Sequence, residues 1–252
     1  MIRRPVTLRL APALLIALGA AGCNQDPGAG NGDERYEPAP CPLCPAQTVG
    51  YPSGPYGLNQ GSTIQSFSFD GFIDAQTQSS TLETIAFGDF FNPHAGDPSY
   101  QPALAADDDR LFPPGSPYGP GTKKPTALLI DIASVWCGPC NEEAKSVLNG
   151  LYAKYQPCGG EFFFQLAEGA APGAPVTQTL LHSWVTSYHV AYPATFDASR
   201  QLYPLYSADS FPDSAIVDTR TMKIVEVVSG VPDAAFWSTY ESLLDAACLS
   251  SQ

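Results

Sequence analysis

The chain has 252 residues, of which 44% are hydrophobic and 15% are charged, so it can bury one substantial core but hardly two. Acidic residues outnumber basic ones by 25 to 12, which gives a net charge of −13. Such a charge argues against nucleic acid and anionic lipid headgroups as partners. The 25 prolines and 22 glycines are concentrated before residue 126, which predicts loop or tether in much of the front third.

Residues 1–22 have the pattern of a signal peptide. Three arginines precede an apolar run over residues 10–21, and this run is too short for a comfortable transmembrane helix. The run ends in Ala20-Ala-Gly-Cys23, which resembles a bacterial lipobox. The resemblance implies a lipoprotein signal peptide over residues 1–22 and lipidation of Cys23. Ordinary cleavage and an uncleaved anchor remain the alternatives.

Residues 23–60 are rich in glycine and proline and show no sustained apolar period, as expected for a tether that holds a domain off a membrane. They contain a second cysteine pair, Cys41 and Cys44, which is bracketed by prolines. This pair could pass electrons to or from another dithiol, or it could be a structural clip. We favour the structural interpretation, because a proline-bracketed loop offers no helix N-terminus to acidify a thiol.

From residue 61 the pattern changes to that of a folded domain, predicted over residues 61–252. Phe67 and Phe69 alternate with polar residues and an apolar stretch follows at 84–87, which predicts an opening β-hairpin. Residues 92–125 carry eight prolines and are predicted to be an inserted surface loop. The Asp107–Asp109 run in this loop lacks the staggered ligands of a calcium site, which favours a solvated turn.

The most informative stretch is an apolar run over residues 127–135, which leads into Cys137 and Cys140. Only Asp131 and one serine interrupt the run, which predicts a buried strand. A helical pattern follows, with apolar side chains spaced i, i+3, i+4, i+7, i+8 and i+11 from Ala144, so one face of this helix should lie on a core. The cysteines therefore stand at a strand-to-helix junction, which indicates a redox dithiol.

Disulfide exchange requires a thiolate, and a free cysteine with a pKa of ~8.5 is mostly protonated at neutral pH. If the helix begins just after Cys137, its unpaired N–H groups and positive dipole end lie at that sulfur and favour the thiolate. Cys140 lies one turn further along, within reach of a mixed disulfide. We therefore expect Cys137 to be the nucleophile and Cys140 the resolving cysteine, with Pro139 tolerated in the first turn.

The sequence Trp136-Cys-Gly-Pro-Cys140 resembles the active-site motif of thioredoxins, and Cys140-Asn-Glu-Glu143 resembles the membrane-anchored TlpA/ResA-like branch. The resemblance implies a thioredoxin-like α/β fold with three layers, a central mixed β-sheet and an N-terminal β-hairpin extension. It also implies a place for Trp136 in the active site and no cofactor beyond the redox-active cysteine pair. A zinc half-site or a static disulfide is the alternative, but zinc requires a second ligand pair of similar spacing.

Asp131 lies six residues before Cys137, inside the predicted strand. Thioredoxins have an aspartate at this spacing, and the resemblance implies that Asp131 takes the proton from Cys140 when that thiol must attack. Burial would raise its pKa and suit it to this role. An ordinary strand-end aspartate is the alternative. The TlpA-like branch often lacks this acid, so the chain combines features of both groups.

Three further elements are expected after the motif helix: a buried strand over residues 161–167, an amphipathic helix over 180–188 and a short strand within 192–197. His182 and His189 fall within and just after the helix. Seven residues apart, these two histidines make no plausible metal pair, and no metal site is expected.

A β-hairpin is predicted to begin at Pro212. In thioredoxin-like folds a cis-proline precedes this strand, packs beside the dithiol and exposes backbone that can pair with an extended substrate. By resemblance this role falls to Pro212, while Pro193 and Pro204 compete for the position. Phe211 stands where a small or β-branched residue is usual.

A last helix is predicted after Pro232, ending at Cys248. In the fold that the chain resembles, the motif helix and the final helix cover the same face and both run away from the active site. The resemblance therefore implies a structural disulfide between Cys158 and Cys248.

These features predict a thiol–disulfide oxidoreductase of the cell envelope, lipid-anchored and facing the periplasm or the outer face of the membrane. A reductase is favoured, because the Gly-Pro pair between the cysteines is that of thioredoxin. The reduction potential of thioredoxin is about −270 mV, well below that of strong oxidants of this fold. The expected partners are disulfide-containing or dithiol proteins and a membrane thiol–disulfide electron donor, and the protein is expected to be a monomer. A thiol peroxidase, which would have threonine at the position of Ser134, and a non-enzymatic metal-binding or redox-sensing lipoprotein remain alternatives.

Overall fold

Seven β-strands form one sheet within the part of the chain that the structure, a computed structural model, describes: residues 49–73, 81–102, 104–206 and 210–251. The strands are β1 (Ser68–Phe72), β2 (Glu83–Ala86), β3 (Ala127–Ser134), β4 (Gly160–Glu168), β5 (Ala194–Phe196), β6 (Asp213–Asp218) and β7 (Lys223–Ser229). Their order across the sheet is β2-β1-β5-β4-β3-β6-β7.

The described residues all belong to one compact unit, Leu43–Gln252. The predicted signal peptide and the cysteines Cys23, Cys41 and Cys44 lie outside the described residues. Across the described ranges, no helix combines the length and the apolar character that crossing a bilayer requires.

The sheet is mixed. Strands β3, β4 and β5 are parallel to one another, whereas the β1–β2 hairpin and the β6–β7 hairpin pair with the sheet in antiparallel register. All eight residues of β3 are buried, which explains its continuous apolar run, since a strand covered on both faces has no polar side. The predicted mixed sheet with flanking helices and an N-terminal β-hairpin is confirmed.

Helices connect the parallel strands and follow the last hairpin. They are α1 (Gly138–Ser146), α2 (Leu148–Tyr155), α3 (Gln178–Tyr188), α4 (Ala234–Glu241) and α5 (Ala246–Leu249). Short 3-10 helices occur at Phe87–Phe90, Ala105–Asp107, Gln156–Cys158 and Tyr203–Leu205. The side chains of Thr177 and Asp233 accept hydrogen bonds from main-chain N–H groups at the starts of α3 and α4, so these caps fix where the two helices begin.

The longer helices pack on one face of the sheet. Phe162 and Phe164 of β4 project to this face and contact Tyr152 of α2, Trp184 of α3 and Tyr240 of α4. The connections β3-α1-α2-β4 and β4-α3-β5 advance across the sheet in the same direction. Right-handed crossovers that advance in one direction place their helices on one face.

The other face of the sheet is covered by the 3-10 helix Phe87–Phe90 and by loops, so within the described residues this layer of the predicted three-layer fold lacks the longer helices of the first face. Phe163 projects to this face and packs against Phe87 at a ring-centroid distance of 4.8 Å. Phe90 continues the cluster to Phe112 and Tyr118 of the predicted inserted loop, at 6.5 and 5.1 Å. The segment over residues 92–125 therefore supplies part of the core.

The motif helix is divided at Val147, where the sequence pattern predicted one continuous helix. Val147 has φ −120° and ψ −59°, outside the helical region, and separates α1 from α2. Its side chain was expected on the buried face but is 39% exposed. The prediction from helical spacing was therefore wrong at Val147, because its backbone leaves the helical region and its side chain is exposed.

The chain contacts the sheet before β1 begins. The Tyr51 ring packs on Phe91 at a centroid distance of 5.6 Å, and its hydroxyl donates to the carbonyl of Ile64 at 2.7 Å. The N–H of Ile64 in turn donates to the carbonyl of Met222 at 2.8 Å. The last part of the predicted tether, from Tyr51, thus packs on the domain.

A disulfide joins Cys158 to Cys248 in the structure, which is the pairing expected. Cys158 ends the 3-10 helix after α2, and Cys248 lies in α5. The N–H of Asp245 donates to the carbonyl of Cys158 at 3.0 Å. The bond ties the C-terminal helix to the end of α2 and spans a sequence separation of 90.

Replacing both Cys158 and Cys248 by alanine should lower the free energy of unfolding by about 2–4 kcal/mol, because a cross-link over a long loop restricts the unfolded chain. Urea unfolding of the oxidised protein measures the change. Alkylation of either cysteine without prior reduction would contradict the pairing.

Candidate active site

The two motif cysteines lie at the junction of β3 and α1. Cys137 is the N-cap residue of α1, and Pro139 lies in the first turn. The structure holds Cys137 and Cys140 as a disulfide with Cα atoms 5.3 Å apart. The N–H of Cys140 donates to the Sγ of Cys137 at 3.1 Å. The helix therefore begins at the sulfur that was predicted to be the nucleophile, and its unpaired amides favour a thiolate there.

Main-chain hydrogen bonds hold the turn between β3 and α1. The N–H of Val135 donates to the carbonyl of Glu168 in β4 at 3.1 Å, and the N–H of Cys137 donates to the carbonyl of Ser134 at 3.2 Å. Cys137 is 3% and Cys140 is 2% exposed. A partner thiolate must touch a sulfur to react, so in this structure only a small part of the dithiol is open to a partner.

Asp131 is a buried carboxylate of β3, 3% exposed. Its Oδ1 accepts a hydrogen bond from the Ser214 hydroxyl at 3.3 Å. Burial raises the pKa of Asp131 to about 7, against the opposing effect of the Ser214 hydrogen bond and with a smaller contribution from the charge of Asp213. A carboxyl group with this pKa can give up and take a proton near neutral pH.

Glu143 is a second buried carboxylate, on α1 one turn after Cys140, and is also 3% exposed. Burial and then the negative charge of Asp131 raise the pKa of Glu143 to about 9. Each buried carboxyl therefore makes it harder for the other to lose its proton. Burial and then the negative charges of Asp131 and Glu143 raise the pKa of the Tyr192 phenol.

The Phe211–Pro212 peptide bond is cis. Strand β6 begins at Asp213, opposite Ile132 near the end of β3, so Pro212 lies at the same end of the sheet as the dithiol. The carbonyl of Pro212 accepts a hydrogen bond from the N–H of Gly230 at 2.8 Å. Within the described residues, neither Pro193 nor Pro204 follows a cis bond.

Aromatic rings form a row beside the dithiol. Trp136 contacts Phe211 at a centroid distance of 5.7 Å, and Phe211 contacts Tyr206 at 5.2 Å. The indole Nε1 of Trp136 donates to Glu168 at 2.8 Å, and the other carboxylate oxygen of Glu168 lies 3.5 Å from Arg200. The hydrogen bond to Glu168 of β4 therefore fixes the orientation of the Trp136 indole.

Five of the residues predicted for the active site come together at this end of the sheet: Cys137, Cys140, Asp131, Trp136 and Pro212. Sequence analysis did not assign Glu143 or Glu168 to the site. Glu143 had a usable signal, because a carboxylate on the apolar stripe of a helix with Cys140 and Ala144 indicates a buried acid. Glu168 had none, because its partner Trp136 is 32 residues away in the sequence.

Comparison with known proteins supports one relationship. No protein-family model matches the chain. The thiol-disulfide oxidoreductase ResA of Bacillus subtilis (strain 168) is 24% identical over 121 residues, which are 48% of this chain and 63% of that protein. The chain thus spans less than two thirds of the length of this relative. The domain is thioredoxin-like.

Solved structures resemble this thioredoxin-like domain more distantly. A candidate thiol:disulfide interchange protein DsbE from Chlorobium tepidum is 16% identical, with a TM-score of 0.48, over 77% of this chain and 99% of that one. The thioredoxin domain of a thiol-disulfide oxidoreductase from Bacteroides vulgatus is 13% identical, with a TM-score of 0.45, over 75% and 99%. Since both scores are below 0.5, the assignment rests on the ResA match and on the sheet, dithiol and cis-proline described above.

Replacing Asp131 by asparagine should stabilise the fold increasingly as the pH rises. The folded carboxyl binds its proton more tightly than the unfolded one, so wild-type stability falls between the usual aspartate pKa and about 7. The advantage of Asp131→Asn over the wild type should grow by about 2–4 kcal/mol from pH 4 to pH 8. Urea unfolding of the oxidised proteins at both pH values measures this difference in the free energy of unfolding. A difference that does not change with pH would show that the pKa of Asp131 is not raised in the folded protein.

Proposed function

We propose that the protein is a thiol–disulfide oxidoreductase that reduces protein disulfides through Cys137 and Cys140. The observation that supports this most directly is the amide of Cys140 donating to the Sγ of Cys137 at the start of α1. A sulfur at the N-terminus of a helix is stabilised as a thiolate, which is the attacking form. The match to ResA, whose name describes this activity, agrees with the proposal.

The reaction proceeds in two exchanges. The Cys137 thiolate attacks one sulfur of the substrate disulfide, which forms a mixed disulfide and releases the other substrate sulfur as a thiolate. The Cys140 thiolate then attacks the Sγ of Cys137, which forms the Cys137–Cys140 disulfide and releases the second substrate thiolate. The substrate gains two electrons and, on protonation, two protons. A reducing dithiol partner must return the two electrons to the Cys137–Cys140 pair.

The buried carboxylates supply the base for the second exchange. Cys140 must lose its proton before it attacks, and Asp131 has a pKa of about 7 in the structure, which suits a general base near neutral pH. Burial and the charge of Asp131 raise the pKa of Glu143. We assign the base to Asp131, because a carboxyl with a pKa of about 7 is partly unprotonated at neutral pH and can then accept the proton of Cys140.

Substrate chains are proposed to bind beside Pro212. An extended peptide can pair with backbone next to the cis-proline, and the partly exposed ring of Trp136, which packs on the buried Phe211, supplies an apolar contact there. The substrates would be disulfide-containing proteins, and no cofactor other than the cysteine pair is needed.

Sequence features support a direction and a place for the proposed reaction. The Gly-Pro pair between the cysteines favours reduction of substrates, so the partner would be a membrane thiol–disulfide electron donor. Signal peptide cleavage and lipidation at Cys23 would place a monomeric domain in the cell envelope, on the periplasmic or outer face of the membrane.

Replacing Cys137 by serine should reduce the rate of insulin disulfide reduction by about 100-fold or more, because the nucleophile is lost. The Cys140→Ala variant should instead accumulate mixed disulfides, which non-reducing electrophoresis detects, because the first exchange proceeds and the second does not. The Cys158→Ala/Cys248→Ala variant is the matched control and should keep its activity. Undiminished insulin reduction by Cys137→Ser would refute the proposed function.

Replacing Asp131 by asparagine should slow the second exchange by about 10- to 100-fold and leave the first within about twofold. In the wild type the second exchange should accelerate as the pH rises through about 7, where Asp131 loses its proton, and the variant should lose this dependence. Stopped-flow measurement of both phases provides the test. Equal slowing of both phases would remove Asp131 from the role of base.

A further inference from the structure

The side chain of Asn141 bonds back to the turn that carries the nucleophile. Its Nδ2 donates to the carbonyl of Val135 at 3.2 Å and also to the carbonyl of Cys137. Asn141 directly follows Cys140 in α1. One amide group therefore contacts the turn on both sides of Trp136.

Tyr188 holds this amide from another helix. Its hydroxyl donates to the Oδ1 of Asn141, which fixes the orientation of the amide, because the carbonyls on its other side only accept hydrogen bonds. Tyr188 is the last residue of α3. It packs edge-on against the buried Trp184 at 4.7 Å, and its carbonyl accepts a hydrogen bond from Asn149 of α2 at 2.8 Å.

We propose that Asn141 is a positioning residue for the dithiol, held by Tyr188, so that α3 fixes the turn that presents the Sγ of Cys137 to the start of α1. The physical effect is electrostatic. The carbonyl oxygen of Cys137 carries partial negative charge close to its own sulfur, and the amide donor offsets that charge. The turn also keeps Cys137 where it accepts the amide of Cys140.

This proposal rests on the proposed function in one respect: the Cys137 thiolate is taken to be the group that attacks substrate disulfides. Ionisation of Cys137 can be measured without any substrate, so the two proposals fail separately. If Cys137 shows the expected changes in ionisation but the wild type does not reduce insulin, the proposed function is wrong and the role of Asn141 stands.

The test compares Asn141→Asp with Asn149→Asp. Both substitutions are isosteric, both remove an amide that donates to a main-chain carbonyl, and both add one negative charge beside Tyr188. Residue 149 lies in α2, beyond the break at Val147 and about two turns further from Cys137 than residue 141, so it is the matched control. The Tyr188→Phe variant removes only the hydroxyl that orients Asn141 and adds no charge.

The readout is the pKa of Cys137 in the reduced proteins, from the pH dependence of iodoacetamide alkylation followed by peptide mass spectrometry. A carboxylate about 5 Å from a sulfur raises the thiol pKa by roughly one to two units, so Asn141→Asp should show that rise. Tyr188→Phe should raise it by about half a unit. Asn149→Asp should leave it within about 0.3 units.

The neighbouring carboxyl groups of Glu142, Asp131 and Glu143 are unchanged in all three variants. Glu142 faces Tyr188, and burial followed by the charge of Glu142 raises the pKa of that phenol, so Tyr188 remains a donor across the titration. Asp131 and Glu143 lie on the core side of α1. Circular dichroism and urea unfolding identify any variant that fails to fold.

Equal shifts in Asn141→Asp and Asn149→Asp would overturn the proposal, because the effect would then be general charge and not position. If the Tyr188→Phe variant folds normally and the pKa of Cys137 is unchanged, Tyr188 does not hold Asn141 in the way proposed. If Asn141→Asp does not fold, Tyr188→Phe alone decides.

Discussion

The active site depends most on one contact, that between the N–H of Cys140 in the first turn of α1 and the Sγ of Cys137. The contact exists because β3 ends at Ser134 and α1 begins at Gly138, which leaves only a short turn between a buried strand and a helix start. The strand is fixed by neighbours on both sides, and the helix by packing on the sheet. The site is therefore built from rigid elements and a turn that has little freedom.

The elements and the dithiol could be predicted because their signals are local. The run that became β3, the cysteine spacing and the alternating aromatics of β1 each express a short-range pattern. The Cys158–Cys248 pair and the cis bond at Pro212 could be expected only by resemblance to a known fold, since neither spacing nor composition pairs distant cysteines. All five residues expected around the dithiol lie at one end of the sheet.

The remaining features could not be predicted because they depend on distant neighbours. Glu168 binds Trp136 only after β4 is placed beside β3, and Tyr188 reaches Asn141 across 47 residues. The break at Val147 has no proline to mark it, and Ser146 before it and Gly150 after it are weak signals, so helical spacing alone predicted one continuous helix. The placement of the longer helices on one face follows from the direction of successive crossovers, which is a property of topology and not of any segment.

The one-sided arrangement of helices bears on how this domain can tolerate change. Insertions in most surface loops are nearly neutral because nothing packs beneath them. Here the irregular segment that contributes Phe112 and Tyr118 lies over Phe90, so shortening it would leave aromatic side chains in water and favour aggregation. From its sequence the segment was expected to be a surface loop, whereas in the structure its aromatic side chains form one side of the hydrophobic core.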